Sequence, residues 1–229
     1  MNDMKKRVYE ANVALKKSGL VVLTWGNVSE IDRQKGYIAI KPSGVSYDMM
    51  TYDDIVIVDI EGNIIEGKYR PSSDLPTHIE LYKAFPDIGG ITHTHSRWAT
   101  IFSQAGMGIK PFGTTHADTF YGEIPVTRKL TSAQISGDYE KETGTVIIEA
   151  FKDIEPLSIP AVLVNSHGPF TWGDNAIKSV ENALILEEVA MMAWHTMKLD
   201  ENTKFQKELL DKHYHRKHGE NAYYGQKVK

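Results

Sequence analysis

The sequence predicts an α/β sandwich built around a mixed sheet, and three observations lead there. Short strand-like pieces separated by turn residues are interleaved with amphipathic helices. The regular strand–helix–strand alternation of a parallel nucleotide-binding sheet is missing, and no Gly-x-Gly-x-x-Gly or Gly-x4-Gly-Lys-[Ser/Thr] run occurs. No repeat, low-complexity tract or Pro/Ser-rich linker breaks the 229 residues, so one domain over 1–229 is expected.

The first helix is predicted over Met1 to Lys17, with Val8, Ala11 and Leu15 on one face and Gly19 as its stop. Leu20–Leu23, Tyr37–Ile40, Ile55–Asp59 and Ile64–Glu66 read as strands, with turns at Asp32–Gly36 and Glu61-Gly62-Asn63. Pro76 suits the first turn of a helix to about Phe85. Ile88–Thr94 reads as a strand, and Ser96 is placed to cap a helix over Arg97–Gln104. Thr145–Glu149 and Ala161–Val164 are the later strands. Asp174 or Asn175 opens a long helix from Ala176 to about Lys198, Lys204–His218 forms the last helix, and Ala222-Tyr223-Tyr224-Gly225 is an aromatic tail.

Charge and composition narrow the function. Twenty-six basic residues against thirty acidic ones give a net charge of −4, which offers no footprint for nucleic acid or anionic lipid. The charged N-terminus does not read as a targeting segment, and no run of about 18 apolar residues occurs. A soluble, cytoplasmic protein with neither nucleic-acid nor membrane partner is therefore expected. There is no cysteine, so thiolate metal sites and cysteine nucleophiles are excluded. Any transition metal must be held by imidazole and carboxylate, and nine histidines are available.

His93 and His95 lie two apart at the end of a predicted strand, so both project from one face. His167 follows the strand Ala161–Val164, in Asn165-Ser166-His167-Gly168-Pro169, where Gly and Pro turn the chain. Three strand-end imidazoles leave a coordination position for a carboxylate, water or substrate, as catalytic zinc sites do. His78 and His195 read as surface or core residues. His116, His213, His215 and His218 sit in polar contexts, functional or merely solvated.

Three small-residue loops, Trp25-Gly26-Asn27, Lys41-Pro42-Ser43-Gly44 and Arg70-Pro71-Ser72-Ser73-Asp74, expose backbone N–H groups and hydroxyls of the kind that hold a phosphate or polyol. Singly each is an ordinary turn; three in one chain suggest a shared pocket.

Taken together, Gly26-Asn27, Lys41-Pro42-Ser43-Gly44, Pro71-Ser72-Ser73-Asp74, His93-Thr94-His95-Ser96 and Ser166-His167-Gly168-Pro169 resemble the class II aldolase/adducin family. Gly113-Thr114-Thr115-His116-Ala117-Asp118 and the stretch from Lys212-His213-Tyr214 to Tyr223-Tyr224-Gly225 are similar to its L-ribulose-5-phosphate 4-epimerase branch. The resemblance spans Met4 to Gln226. It implies a three-layer α/β/α fold around a mostly antiparallel sheet, assembled as a homotetramer with active sites between subunits. It implies one divalent ion per subunit, Zn(2+) in kind, on His93, His95 and His167, with Asp74 as a further ligand or neighbour. Gly26, Asn27, Lys41, Ser43, Gly44, Ser72 and Ser73 would hold the phosphate of a phosphorylated pentulose. Asp118 and Tyr224 match the proton-transfer pair of the epimerases, and His213 matches a histidine near the same site; the C-terminal tail, about 204–229, would reach the neighbouring subunit. The aldolases of the family carry glutamate where this chain has Asp74. The implied reaction interconverts L-ribulose 5-phosphate and D-xylulose 5-phosphate by breaking and remaking a C–C bond with inversion at C4. The alternative is an aldolase that cleaves a phosphorylated ketose and releases both fragments.

Overall fold

The computed structural model describes residues 1–219 and 222–224. The Gly225 end of the aromatic tail, like the rest of 225–229, lies outside the described residues. Helix α1 (Asn2–Lys17) is followed by β1 (Asn27–Asp32), β2 (Tyr37–Ile40), β3 (Val56–Asp59) and β4 (Ile64–Glu66). Next come α2 (Leu75–Ala84), β5 (Gly90–His93), α3 (Arg97–Ala105), and the short helices α4 (Thr114–Ala117) and α5 (Ser132–Ser136). Helix α6 (Tyr139–Ala150), β6 (Ala161–Leu163), β7 (Pro169–Gly173), α7 (Ala176–Leu199) and α8 (Lys207–His215) complete the order.

Seven strands form one sheet in the order β4-β3-β2-β1-β5-β7-β6. Every neighbouring pair of strands is antiparallel, and among the described residues a parallel pairing occurs as the isolated bridge of Val126 to Leu163 of β6, so the sheet is mostly antiparallel as expected. Alternation along the strands divides the interior in two. Ile38, Ile40, Val56 and Val58 face one core with Leu75, Ile79 and Tyr82 of α2 and Ile147 of α6. Val28, Ala39 and Ile57 face the other, with Val8, Ala11 and Leu15 of α1 and Val180 of α7. The result is three layers, helices on both faces of the sheet.

Several expectations are corrected. Leu20–Leu23 is not a strand: Val22 and Leu23 are exposed, and Leu23 takes a left-handed backbone at φ 53°. The strand is instead β1, whose mixed residues Asn-Val-Ser-Glu-Ile-Asp hide it. Its polar residues are buried because each has a partner, as Glu30 has in Arg7 and in the main-chain N–H of Ala176. Thr145–Glu149 lies within α6, where Val146 and Ile147 bury against the core despite a β-branched run. Beyond the expected turn at Gly168-Pro169, the unassigned segment Pro169–Gly173 is β7 and completes the sheet between β5 and β6. The last helix is also shorter than Lys204–His218, running only Lys207–His215.

Helix starts are more varied than capping rules suggest. Asn175 caps α7 as expected, its side chain accepting from Lys178 N at 2.9 Å. Ser96 stands at the cap of α3 without a side-chain bond. The Glu187 carboxylate of α7 takes over, accepting from Trp98 N at 2.9 Å and Ala99 N at 3.0 Å. A carboxylate there also complements the helix dipole, and it pins the helix that leaves the His93–His95 segment.

Candidate metal centre and phosphate cradle

The end of β5 carries His93 and the residues after it carry His95, while His167 lies in the turn between β6 and β7. Because β5 and β7 are neighbours, that turn lies beside His93. One ligand nitrogen from each histidine lies within 4.8 Å of the others. His93 Nε2 and His95 Nε2 are 3.2 Å apart. The turn is tight: a Cβ at Gly168 would lie 2.7 Å from Thr94 O and 3.6 Å from His93 Cε1, so only glycine lets the loops meet. Ser166 just before His167 takes φ 62°, a second mark of a forced turn.

The rings are held from behind. His93 Nδ1 donates to the Pro169 carbonyl at 2.9 Å, and Phe170 stacks on the ring at 4.1 Å between centroids. The Tyr139 hydroxyl lies 3.3 Å from His167 Nδ1. Such outer contacts orient imidazoles for ligation. Burial lowers the basicity of His95 and pushes His167 down to about 3, with the neighbouring histidines adding to both. Three converging imidazoles with no thiol nearby form a donor set that fits a zinc-like divalent ion.

Asp74 stands at the N-cap of α2, beside this cluster. Burial works to raise its carboxyl, but the neighbouring imidazoles of His93 and His78, the Asn27 hydrogen bond and the His167 ring together hold it below the usual range. Asn27 Nδ2 donates to Asp74 Oδ2 at 2.6 Å and lies 3.0 Å from Ser72 Oγ. One amide thus ties the carboxylate to the serine loop, while the buried Asn27 Oδ1 has no hydrogen-bond partner among the described residues.

The three small-residue loops converge. Ser43 N donates to Arg70 O and Ser72 N to Lys41 O, each at 3.0 Å, so the Lys41 and Ser72 loops run side by side. Gly26 takes φ 78°, and a Cβ there would lie 2.9 Å from His93 O, which brings the first loop against the metal cluster. Lys41 is 2% exposed, makes no ion pair among the described residues, and has its Nζ 4.7 Å over the Tyr47 ring. Burial pulls it down to about 8.

One cavity of about 420 Å³ is lined by Gly26, Asn27, Lys41, Ser43, Gly44, Ser72 and Ser73, and by Asp74, His93, His95 and His167. The metal and phosphate candidates thus share a wall. Thr24, Trp25, Tyr139 and Glu140 also line it. The last two escape sequence reading because the strand-like run Thr145–Glu149 masks the helix that they open; the acidic first turn at Glu140 and Glu142 is the available signal.

Asp118, His213 and Tyr224 do not line that cavity. Asp118 caps the C-terminus of α4, and His213 Nδ1 lies 3.0 Å from its Oδ1. Arg216 binds the same carboxylate, and the exposed Tyr224 ring lies 5.0 Å from the Arg216 guanidinium. These residues form a separate cluster at the exit of α8. Of the other histidines, His78 is fully buried against Ser29 Oγ at 2.7 Å, and His116 is buried with Nε2 2.6 Å from Gly122 O. His195 packs against Trp98 and Trp194, and His215 against Tyr121 and Tyr214.

Residues 6–194 match the family described as Class II Aldolase and Adducin N-terminal domain. Several solved structures share the fold. One is an L-fuculose 1-phosphate aldolase, 24% identical with a TM-score of 0.82, covering 94% of this chain and 96% of that one. The L-fuculose 1-phosphate aldolase from Glaciozyma antarctica PI12 is 20% identical with a TM-score of 0.79, covering 96% and 84%. YgbL from Klebsiella pneumoniae, whose description leaves aldolase, epimerase and decarboxylase open, is 22% identical with a TM-score of 0.74, covering 92% and 97%.

Proposed function

The chain belongs to the class II aldolase and adducin N-terminal domain family, and we propose that it is a metal-dependent enzyme acting on a phosphorylated ketose. The observation that carries this reading is the single cavity shared by three converging imidazoles and a lysine–serine anion cradle. A divalent ion, zinc by the chemistry of the donor set, would be held by His93, His95 and His167 beside Asp74, and would supply Lewis-acid stabilisation of charge on the substrate oxygens. Lys41 with Ser43, Gly44, Ser72 and Ser73 receives the phosphate, and Gly26 lets the first loop close against His93. Asn27 holds Asp74 toward the imidazoles.

Within that class the reading is L-ribulose-5-phosphate 4-epimerase. The C4 hydrogen is not acidic, so inversion proceeds by breaking the C3–C4 bond and remaking it on the other face of the two-carbon aldehyde. The C4 hydroxyl must lose a proton and regain one, which calls for groups on opposite sides. Asp118 and Tyr224, with His213 beside them, are assigned that work. In this reading they serve the site of a neighbouring copy in a homotetramer with sites between subunits; that none of the three lines the cavity of its own chain supports it. The shorter Asp74, tied to Asn27 at 2.6 Å, supports epimerase over an aldolase with glutamate as base.

Incubating the pure protein with L-ribulose 5-phosphate and following D-xylulose 5-phosphate in a coupled assay tests the reading. Accumulation of free glycolaldehyde phosphate and dihydroxyacetone would instead establish the aldolase.

A further inference from the structure

Asp118 is held by more cations than one carboxylate needs. Arg216 donates from Nε at 3.2 Å and from Nη2 at 3.0 Å to Oδ1, and Nη2 also reaches Oδ2 at 3.0 Å. Lys217 Nζ lies 3.2 Å from Oδ2, and His213 Nδ1 lies 3.0 Å from Oδ1. The ring of His218 reaches the Asp118 main-chain carbonyl at 3.0 Å. Glu155, Asp174 and Lys178 line the adjoining cavity without an ion pair to the carboxylate.

Arg216 differs from the other cations because it also grips the tail. Its main-chain carbonyl accepts from Tyr223 N at 2.9 Å and from Tyr224 N at 3.0 Å. Its guanidinium lies 5.0 Å from the Tyr224 ring centroid. One residue therefore touches Asp118 with its fork, and Tyr224 with both its main chain and its charge. Lys217, with its Nζ 4.5 Å from the same ring, adds a point charge but no fork.

We infer that Arg216 is a positioning residue that holds Asp118 and Tyr224 together as one unit. Its bearing on turnover rests on the epimerase reading above; the holding itself does not. The planar guanidinium binds both carboxylate oxygens through two nitrogens while it lies over the phenol ring, whereas the Lys217 ammonium reaches one oxygen and the same ring as a point charge. With the fork in place Asp118 stays a carboxylate, and the phenol is kept at a set distance from it.

The test is Arg216→Lys in the full-length protein, with Lys217→Met as the comparison. Two readouts are independent of activity: hydrogen exchange of the Tyr223 and Tyr224 amides, and the titration of the Asp118 carboxyl by carbon NMR. In Arg216→Lys, exchange is expected to quicken about tenfold or more and the carboxyl to titrate at higher pH, both by more than in Lys217→Met. With L-ribulose 5-phosphate, kcat is expected to fall ten- to a hundredfold with KM and metal content unchanged, and the acid limb of the kcat profile to move up. Unaltered exchange and an unaltered carboxyl titration in Arg216→Lys overturn the inference. If the native protein does not turn over the substrate, the epimerase reading fails and the two activity-free readouts still decide the role of Arg216.

Discussion

His93 and Asn27 sit directly opposite each other across the antiparallel β5–β1 pair. The first imidazole of the metal cluster and the amide that ties Asp74 to the serine loop are therefore cross-strand partners. The ring of His93 is further fixed by its bond to Pro169 O, so Nε2 faces His95.

His95→Asn removes one of three imidazoles and leaves the core intact. Bound metal, read by elemental analysis, and turnover are expected to disappear together while the fold persists. A variant that retains stoichiometric metal would move the ligand role elsewhere.

Burial pulls Lys41 down to about 8, and among the described residues no carboxylate pairs with it. Below that pH it is an ammonium facing the phosphate; above it the charge is gone, while a phosphate monoester remains a dianion. Affinity for inorganic phosphate is thus expected to fall between about pH 7 and 9 by calorimetry, given the charge-assisted bond at stake. In Lys41→Met that dependence flattens and KM rises roughly tenfold, about 1.4 kcal/mol.

Asp118→Asn keeps the hydrogen-bonding shape but not the charge. Metal content should be native and turnover should drop by a hundredfold or more, in the range typical of a lost acid–base group. If the cavity is completed by another copy, dissociating and reassembling a mixture of inactive Asp118→Asn and inactive His95→Asn proteins restores part of the activity. No recovery in the mixture would place Asp118 and its metal site in one chain.

Gly168→Ala forces a Cβ to within 2.7 Å of Thr94 O, next to the imidazoles. Overpacking of this kind costs about 1–3 kcal/mol. The melting temperature should fall and metal affinity with it, whereas Gly36→Ala, whose Cβ meets nothing within 4 Å, should leave metal affinity untouched.

His116 is neutral and buried, burial pushing it from the ordinary imidazole value of about 6.5 down to about 4. The unfolded chain takes up this proton below about pH 6.5, and the folded chain only near 4. Stability contributed by the neutral ring is therefore complete above 6.5 and lost progressively toward 4, on the order of 3 kcal/mol. Denaturation measured from pH 7 to 4 should show this slope, and His116→Gln should lessen it.

The site was more legible in the sequence than the sheet that carries it. Histidines two apart at a strand end, and a third before Gly-Pro, needed only strand geometry to be grouped. Convergence of the loops was not legible, because it depends on backbone pairing between Lys41 and Ser72 and between Ser43 and Arg70. Strand β1 was hidden because its polar residues are satisfied by distant partners such as Arg7, and α6 because β-branched residues masked its helical face. Tyr139 and Glu140 were lost with α6. The cap of α3 by Glu187 comes from ninety residues away and leaves no local trace.

The cross-strand pairing of Asn27 with His93 makes the sheet a ruler. Neighbouring strands keep a near-constant spacing of about 4.8 Å, so the span between anion cradle and imidazoles cannot stretch to suit a longer ligand. Any tolerance for carbon-chain length must come from the Ser43–Gly44 and Ser72–Ser73 turns. Loop exchange at those two turns, rather than changes in the strands, is the route by which this scaffold would be refitted to a sugar of another size.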